Sequence, residues 1–183
     1  GYGGEAVRLV DALVRGRSSV LFTYGVTNAG KSYTMMGGSP EDRAGILPRA
    51  LGAILERARA TKDCVVLSFI ELYNENVFDL MDKAGGPAAW GNHHHVKAGG
   101  RRALRLKDVG GRVEVNNLSS VRVSTIAQGR ALARAAEAQR KTSSTGLNAT
   151  SSRSHSICQL ELRPANEQPH HHQRHHHHRR PIS

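Results

Sequence analysis

Residues 25–32 read Gly25-Val26-Thr27-Asn28-Ala29-Gly30-Lys31-Ser32 and fit the phosphate-binding pattern G-x-x-x-x-G-K-[ST]. The two glycines let the backbone curl so that successive N–H groups face phosphate oxygens, and the following residues are expected to open a helix whose N-terminus attracts anions. Lys31 adds a full positive charge, and the Ser32 hydroxyl is the hard oxygen ligand that Mg²⁺ prefers. The stretch therefore predicts a site for a nucleoside triphosphate and magnesium.

The sequence on both sides of this loop favours an α/β fold. Residues 19–24 are β-branched and aromatic, which predicts a buried strand leading into the loop. Residues 5–14 have the spacing of an amphipathic helix that Gly16 can close, and residues 51–58 repeat apolar side chains at helical spacing. Residues 64–73 form an apolar, strand-like run. This alternation predicts a three-layer domain around a central, mostly parallel sheet.

The second half of the chain adds three predicted elements. Residues 104–107 and 112–115 look like the arms of a hairpin around a Gly-Gly turn. Thr125 and Gln128 have the spacing of a capping box at the head of an alanine-rich helix. Residues 156–163 predict a further strand.

Composition divides the 183 residues into one domain and a tail. We expect a single domain over residues 1–163, with a Gly/His-rich insert at 83–100, and a disordered His/Arg-rich tail at 164–183. Cys64 and Cys158 lie in apolar runs, which predicts free thiols rather than a disulfide framework. The sequence has neither a membrane-length apolar stretch nor a leader, so we expect a reducing, cytoplasmic setting.

The formal net charge of +11 is compatible with two interpretations of the protein's basic surface. It fits either an acidic partner, such as nucleic acid, an anionic membrane or an acidic protein surface, or simply a solvated basic face. The basic clusters contain no interleaved aromatic residues, which argues against binding of single-stranded nucleic acid by stacking.

A second polar run, residues 148–155, reads Asn-Ala-Thr-Ser-Ser-Arg-Ser-His and precedes the last predicted strand. Alone it is compatible with a serine-rich turn. With the phosphate loop it matches N-x-x-S-S-R-S-H, the nucleotide-sensing first switch of the kinesin superfamily. Residues 45–49, 68–75 and 79–80 also resemble that family's signatures, in the same order. Residues 1–163 thus resemble a kinesin motor domain from its first long helix through the first switch, nearest the cytokinetic and central-spindle subgroup.

The resemblance implies an incomplete P-loop NTPase of the kinesin-motor type, with ATP and Mg²⁺ as cofactors. Its catalytic residues would be Ser151, Ser152 and Arg153: the serines approach the γ-phosphate, and the arginine latches onto a glutamate of the second switch. Ser32 and Ser152 would hold Mg²⁺. The residues that would bind the nucleotide are Gly25, Val26, Thr27, Asn28, Ala29, Gly30, Lys31, Ser32 and Tyr33, with the last near the adenine.

The sequence departs from the family where the second switch, D-L-A-G-S-E, would follow residue 163, because histidines and arginines stand there instead. A D-x-x-G match at residues 108–111 precedes the first switch, and we interpret it as turn chemistry. The chain therefore resembles the front half of a motor, as a fragment, a truncated gene model or a degenerate paralogue.

The resemblance implies an ATP-hydrolysing microtubule motor. Its partner would be microtubules, with neither nucleic acid nor membrane, and its location the cytoplasm and the microtubule cytoskeleton, including the spindle. The alternative is a non-hydrolysing nucleotide- or microtubule-binding module derived from a kinesin. An unrelated P-loop GTPase or kinase is disfavoured by the Ser-Ser-Arg-Ser-His run at residues 151–155.

Overall fold

A computed structural model of the chain describes residues 2–38, 44–81, 103–143 and 154–166. The described helices are α1 (Tyr2–Val14), α2 (Lys31–Met36), α3 (Ile46–Thr61) and α4 (Ile126–Ser143). The described strands are β1 (Asp63–Tyr73), β2 (Asn76–Asp79), β3 (Ala103–Leu104), β4 (Leu106–Val109), β5 (Arg112–Val115), β6 (Val121–Val123) and β7 (Ser154–Pro164). No helix in these ranges is long and apolar enough to cross a bilayer. The predicted insert 83–100 and residues 167–183 of the predicted tail lie outside the described residues.

The central strand of the five-stranded sheet is β1. Strand β7 pairs with it along its whole length, from Asp63↔Pro164 to Tyr73↔Ser154, and β2 and β6 share its other edge. Strand β3 extends the sheet beyond β2, while β4 and β5 form a separate two-stranded sheet.

All of the strand pairs among the described residues are antiparallel, so the predicted mostly parallel arrangement is wrong for this part of the chain. The clearest local cause is the connection between β1 and β2. It consists of Asn74 and Glu75, both with positive φ (48° and 62°), which form a tight hairpin turn. A parallel pair would need a long crossover connection instead.

The larger core cluster lies on one face of β1. Val65, Leu67 and Phe69 alternate along the strand and pack with buried residues from α1, α3 and α4. On the opposite face Ile70 packs with Val77 and Leu104 in a smaller cluster that contains no helical residue. Within the described ranges, helices therefore cover one face of the sheet.

Helix α3 supplies the apolar stripe that its spacing predicts. Leu51, Ile54, Leu55 and Ala58 are all buried. The helix starts at Ile46, so Pro48 lies in its first turn.

Helix α1 only partly fulfils the prediction. The helix ends before Gly16, whose φ of +75° closes it as expected. Val10 is buried, but Val7 is 53% exposed. Helix α1 packs mainly on α3, and Arg57 of α3 forms an ion pair with Asp11 of α1. The packing between these two helices buries only part of the apolar stripe that the sequence predicts for α1.

The predicted capping box is confirmed at the start of α4. The Gln128 N–H donates to Thr125 Oγ1 at 3.1 Å, and Gln128 Oε1 accepts from the N–H groups of Ser124 and Thr125 at 2.8 and 3.3 Å. These bonds satisfy backbone donors that the first turn of a helix leaves unpaired.

The predicted hairpin is confirmed as β4 and β5, with left-handed glycines at its turn. Leu104 lies outside it, in β3, where it pairs with Val77. Asp108 Oδ1 accepts from the Gly111 N–H at 2.8 Å, which supports the interpretation of the D-x-x-G match as turn chemistry.

Residues 19–24 do not form the predicted buried strand. They have no regular secondary structure, and Val20, Phe22 and Tyr24 are 82%, 79% and 95% exposed. A strand needs a neighbour to pair its backbone groups. Both edges of β1 are already occupied by β7 and by β2 with β6, and among the described residues no strand pairs with the segment 19–24.

Candidate functional site

The phosphate-binding pattern forms a tight turn that leads directly into α2. Asn28 has φ +66° and Gly30 has φ +84°, and the Ala29 N–H donates to the carbonyl of Val26 at 3.2 Å. The left-handed backbone at Gly30 suits a residue without Cβ. Gly30 is the N-cap of α2 and makes no side-chain capping bond, so the first-turn amides of this helix remain available to an anion.

Lys31 folds back over this turn. Its Nζ donates to the carbonyl oxygens of Gly25 and Val26 at 2.8 and 2.7 Å. These two bonds hold the Lys31 ammonium against the preceding loop, residues 25–30, which is exposed to solvent. The Lys31 ammonium is thus held against the loop that precedes the first turn of α2, an arrangement that can bind a phosphate group.

Helix α2 is tied back to α3 at its far end. The Gly37 N–H donates to the Tyr33 carbonyl at 2.8 Å, and Gly37 forms an isolated β-bridge with Ala44. Arg49 of α3 in turn donates from Nε to the Ala44 carbonyl at 2.8 Å. Ser32 and Tyr33 both keep exposed side chains on this short helix.

The predicted first-switch residues Ser151, Ser152 and Arg153 lie outside the described residues. Their roles, and their approach to the phosphate loop, stay predictions. Ser154 is the next described residue and the first residue of β7. Its hydroxyl donates a hydrogen bond to Glu71 Oε1.

Two buried carboxylates near the sheet have roles that the sequence analysis did not assign. Glu71 accepts the Ser154 bond, and Asp79 accepts from the N–H groups of Met81 and Ser119, each at 2.8 Å. The burial of Glu71 could have been predicted from the sequence. Glu71 follows Val65, Leu67 and Phe69 at every second position of β1, and these three side chains point into the larger core cluster. No comparable local signal links Asp79 to Ser119, which lies 40 residues away.

Both described cysteines are free, as predicted, and nothing indicates a nucleophilic role for them. Burial raises the pKa of the Cys158 thiol to about 12. Cys158 packs against the larger core cluster, where a neutral thiol behaves as a small apolar group.

Comparison with known proteins decides the family. The model of the kinesin motor domain matches residues 2–179. The chain belongs to the kinesin family. It is 32% identical over 170 residues to Kinesin-like protein KIN-14D of Arabidopsis thaliana, covering 89% of this chain and 21% of that protein. It is 37% identical over 159 residues to Kinesin-like protein KIFC2 of Homo sapiens, covering 86% and 17%.

A solved structure agrees with the family assignment. The chain superposes on a kinesin described as a fast kinesin with a TM-score of 0.69 and 29% identity, covering 85% of this chain and 42% of that one. The prediction of an incomplete kinesin-type fold is therefore confirmed, and the subgroup stays a prediction. The chain spans about a fifth of the length of the curated relatives that it matches.

Proposed function

We propose that this kinesin-family chain binds ATP with Mg²⁺ through residues 25–33 and belongs to a microtubule-stimulated ATPase motor. The observation that carries the proposal is the convergence of the Lys31 ammonium with the uncapped first turn of α2, in a chain whose family is established. Phosphoryl transfer depends mainly on positioning and electrostatic stabilisation, and this loop supplies both to the phosphates.

The donor set also fits magnesium. The Ser32 hydroxyl in the first turn of α2 is exposed and is a hard oxygen donor. Together with Ser152 it would hold the ion, which supplies charge neutralisation between the phosphates when it is bound. Ser151 would approach the γ-phosphate, Arg153 would latch onto an acidic partner, and Tyr33 would lie near the adenine.

The microtubule part of the proposal is supported by charge. The β4–β5 hairpin is exposed along both strands, and Lys107 and Arg112 lie on it beside the exposed Arg105. Asp108 and Glu114 lie on the same hairpin and offset two of these charges, so it is the net charge of +11 of the whole chain that suits the acidic surface of tubulin. We accordingly expect the protein on cytoplasmic microtubules, including those of the spindle.

The decisive test of nucleotide binding is the removal of the Lys31 charge. Charge-assisted hydrogen bonds contribute about 1.5–3 kcal/mol each, so Lys31→Ala should weaken ATP binding at least about tenfold in a fluorescence titration with Mg²⁺ present. Lys62→Asn is the matched control. It removes the same charge at an exposed position whose left-handed φ of 58° asparagine tolerates. Unchanged affinity in Lys31→Ala would contradict the proposed site.

Turnover is tested separately, by measuring phosphate release with and without microtubules. Stimulation by microtubules is the expected result for a motor. Nucleotide binding without turnover in either condition would instead favour a non-hydrolysing binding module.

A further inference from the structure

The ring of Tyr33 fills the space beside Gly38, which follows the short helix α2. A Cβ atom at residue 38 would lie 2.9 Å from Tyr33 Cε2, 3.7 Å from Cδ2 and 3.9 Å from Cζ. The shortest of these separations is well inside the optimal contact distance between carbon atoms, about 3.5–4.0 Å. The three nearest atoms all belong to Tyr33, so a side chain at residue 38 would meet this ring first.

The backbone conformation at residue 38 does not itself require glycine. Its neighbour Gly37 has φ +85°, which an alanine would adopt only with strain, but Gly38 is not among the residues with positive φ. An alanine at residue 38 would therefore fit the backbone and would collide only with the far end of an exposed side chain. The Tyr33 ring, rather than the backbone, would give way.

Tyr33 stands beside the phosphate loop. It is the third residue of α2, two positions after Lys31, and it is 55% exposed. Its ring is thus in contact with Gly38 at one edge, and more than half of the residue remains open to solvent. An exposed aromatic ring is a surface on which a nucleobase can stack, whatever the identity of the base.

We infer that Gly38 is a positioning residue for base binding, because it leaves room for the Tyr33 ring and so holds that ring in the orientation that stacks on the base of the nucleotide. The inference rests on the proposed function, since Tyr33 has a base to contact only if the loop at residues 25–32 binds the phosphates. It gives residue 38 a role in holding the base that is separate from the holding of the phosphates.

The first experiment measures the contact itself, in the full chain without nucleotide. A nuclear Overhauser effect between the Tyr33 ring protons and the Gly38 Hα protons is expected in the wild type. Gly38→Ala should shift the ring resonances of Tyr33, because the ring has to move. Gly4→Ala is the matched control, since a Cβ atom there meets nothing within 4 Å, and it should leave these resonances unchanged.

The second experiment compares the affinity for ATP with the affinity for inorganic triphosphate, which has no base, in titrations with Mg²⁺ present. Tyr33→Ala should weaken ATP binding about tenfold and Gly38→Ala about threefold, and both should leave triphosphate binding unchanged. Tyr33→Phe, which keeps the ring, should restore ATP binding. When Tyr33 is already alanine, Gly38→Ala should cause no further loss, because it acts through the ring.

The outcomes separate this inference from the proposed function. Absence of the Overhauser effect in the wild type would overturn the contact. Equal losses of ATP and triphosphate affinity in Gly38→Ala, unchanged ATP affinity in that variant, or a further loss in the double variant would overturn the positioning role. Unchanged affinity for both ligands in Lys31→Ala would instead overturn the proposed function, and the Overhauser measurement would still judge the contact.

Discussion

Replacement of Gly129 by alanine should destabilise the protein, although alanine is the better helix former. Gly129 is buried in α4, and a Cβ atom there would lie 2.1 Å from Leu51 Cδ2 and 3.4 Å from Leu67 Cδ1. Leu51 and Leu67 are 1% and 0% exposed, so neither side chain can move away into solvent. The added methyl group must push α4 away from α3 or force Leu51 out of its rotamer.

The magnitude follows from two opposing terms. Overpacking of a well-packed core costs about 1–3 kcal/mol, and a contact of 2.1 Å belongs in the upper part of that range. The gain in helix propensity from glycine to alanine offsets about 0.5–1 kcal/mol. We therefore expect Gly129→Ala to lower the free energy of unfolding by about 1–2 kcal/mol, with a Tm several degrees lower.

The assay is urea unfolding followed by circular dichroism, with the midpoint expected to fall at constant m-value. Gly4→Ala is the control, because Gly4 is exposed in α1 and a Cβ atom there meets nothing within 4 Å. It should be neutral or slightly stabilising. A Gly129→Ala protein as stable as the wild type would refute the close approach of α3 and α4.

Three further predictions concern stability. Thr125→Ala should lower the free energy of unfolding by about 1 kcal/mol in urea, because it removes the capping bond to the Gln128 N–H, and an unchanged midpoint would contradict that role. Asp79→Ala should lower the free energy of unfolding by about 1–3 kcal/mol and Asp79→Asn by less, because alanine leaves the partly buried amides of Met81 and Ser119 without their acceptor. Equal losses in the two variants would contradict this role of Asp79. Burial raises the Cys158 pKa to about 12, so its contribution to stability is complete below the unfolded thiol's pKa of about 8.5 and is lost as pH rises through about 12. Urea midpoints between pH 8 and 11 should fall more steeply than in Cys158→Ala, and identical slopes would contradict the raised pKa.

Local features of the fold could be read directly from the sequence. The capping box at Thr125, the Gly-Gly hairpin turn and the buried stripe of α3 all depend on residues within a few positions of one another, and all three are confirmed. Strand β7 was also predicted, within two residues at its start. The same reasoning failed for residues 19–24, whose composition suits a strand but cannot supply the neighbour that a strand requires.

The family, the phosphate loop and the residues expected to contact a nucleotide follow from the amino-acid order alone, because these depend on the succession of short motifs along the chain. Three features could be known only from the folded chain: the antiparallel pairing around β1, the close contact of α4 with Leu51 and the bond between Glu71 and Ser154. Glu71 and Ser154 are 83 residues apart, so their contact exists only once β1 and β7 have paired in register. A local pattern specifies which groups a segment offers, but the partner of each buried group is fixed by packing between distant segments.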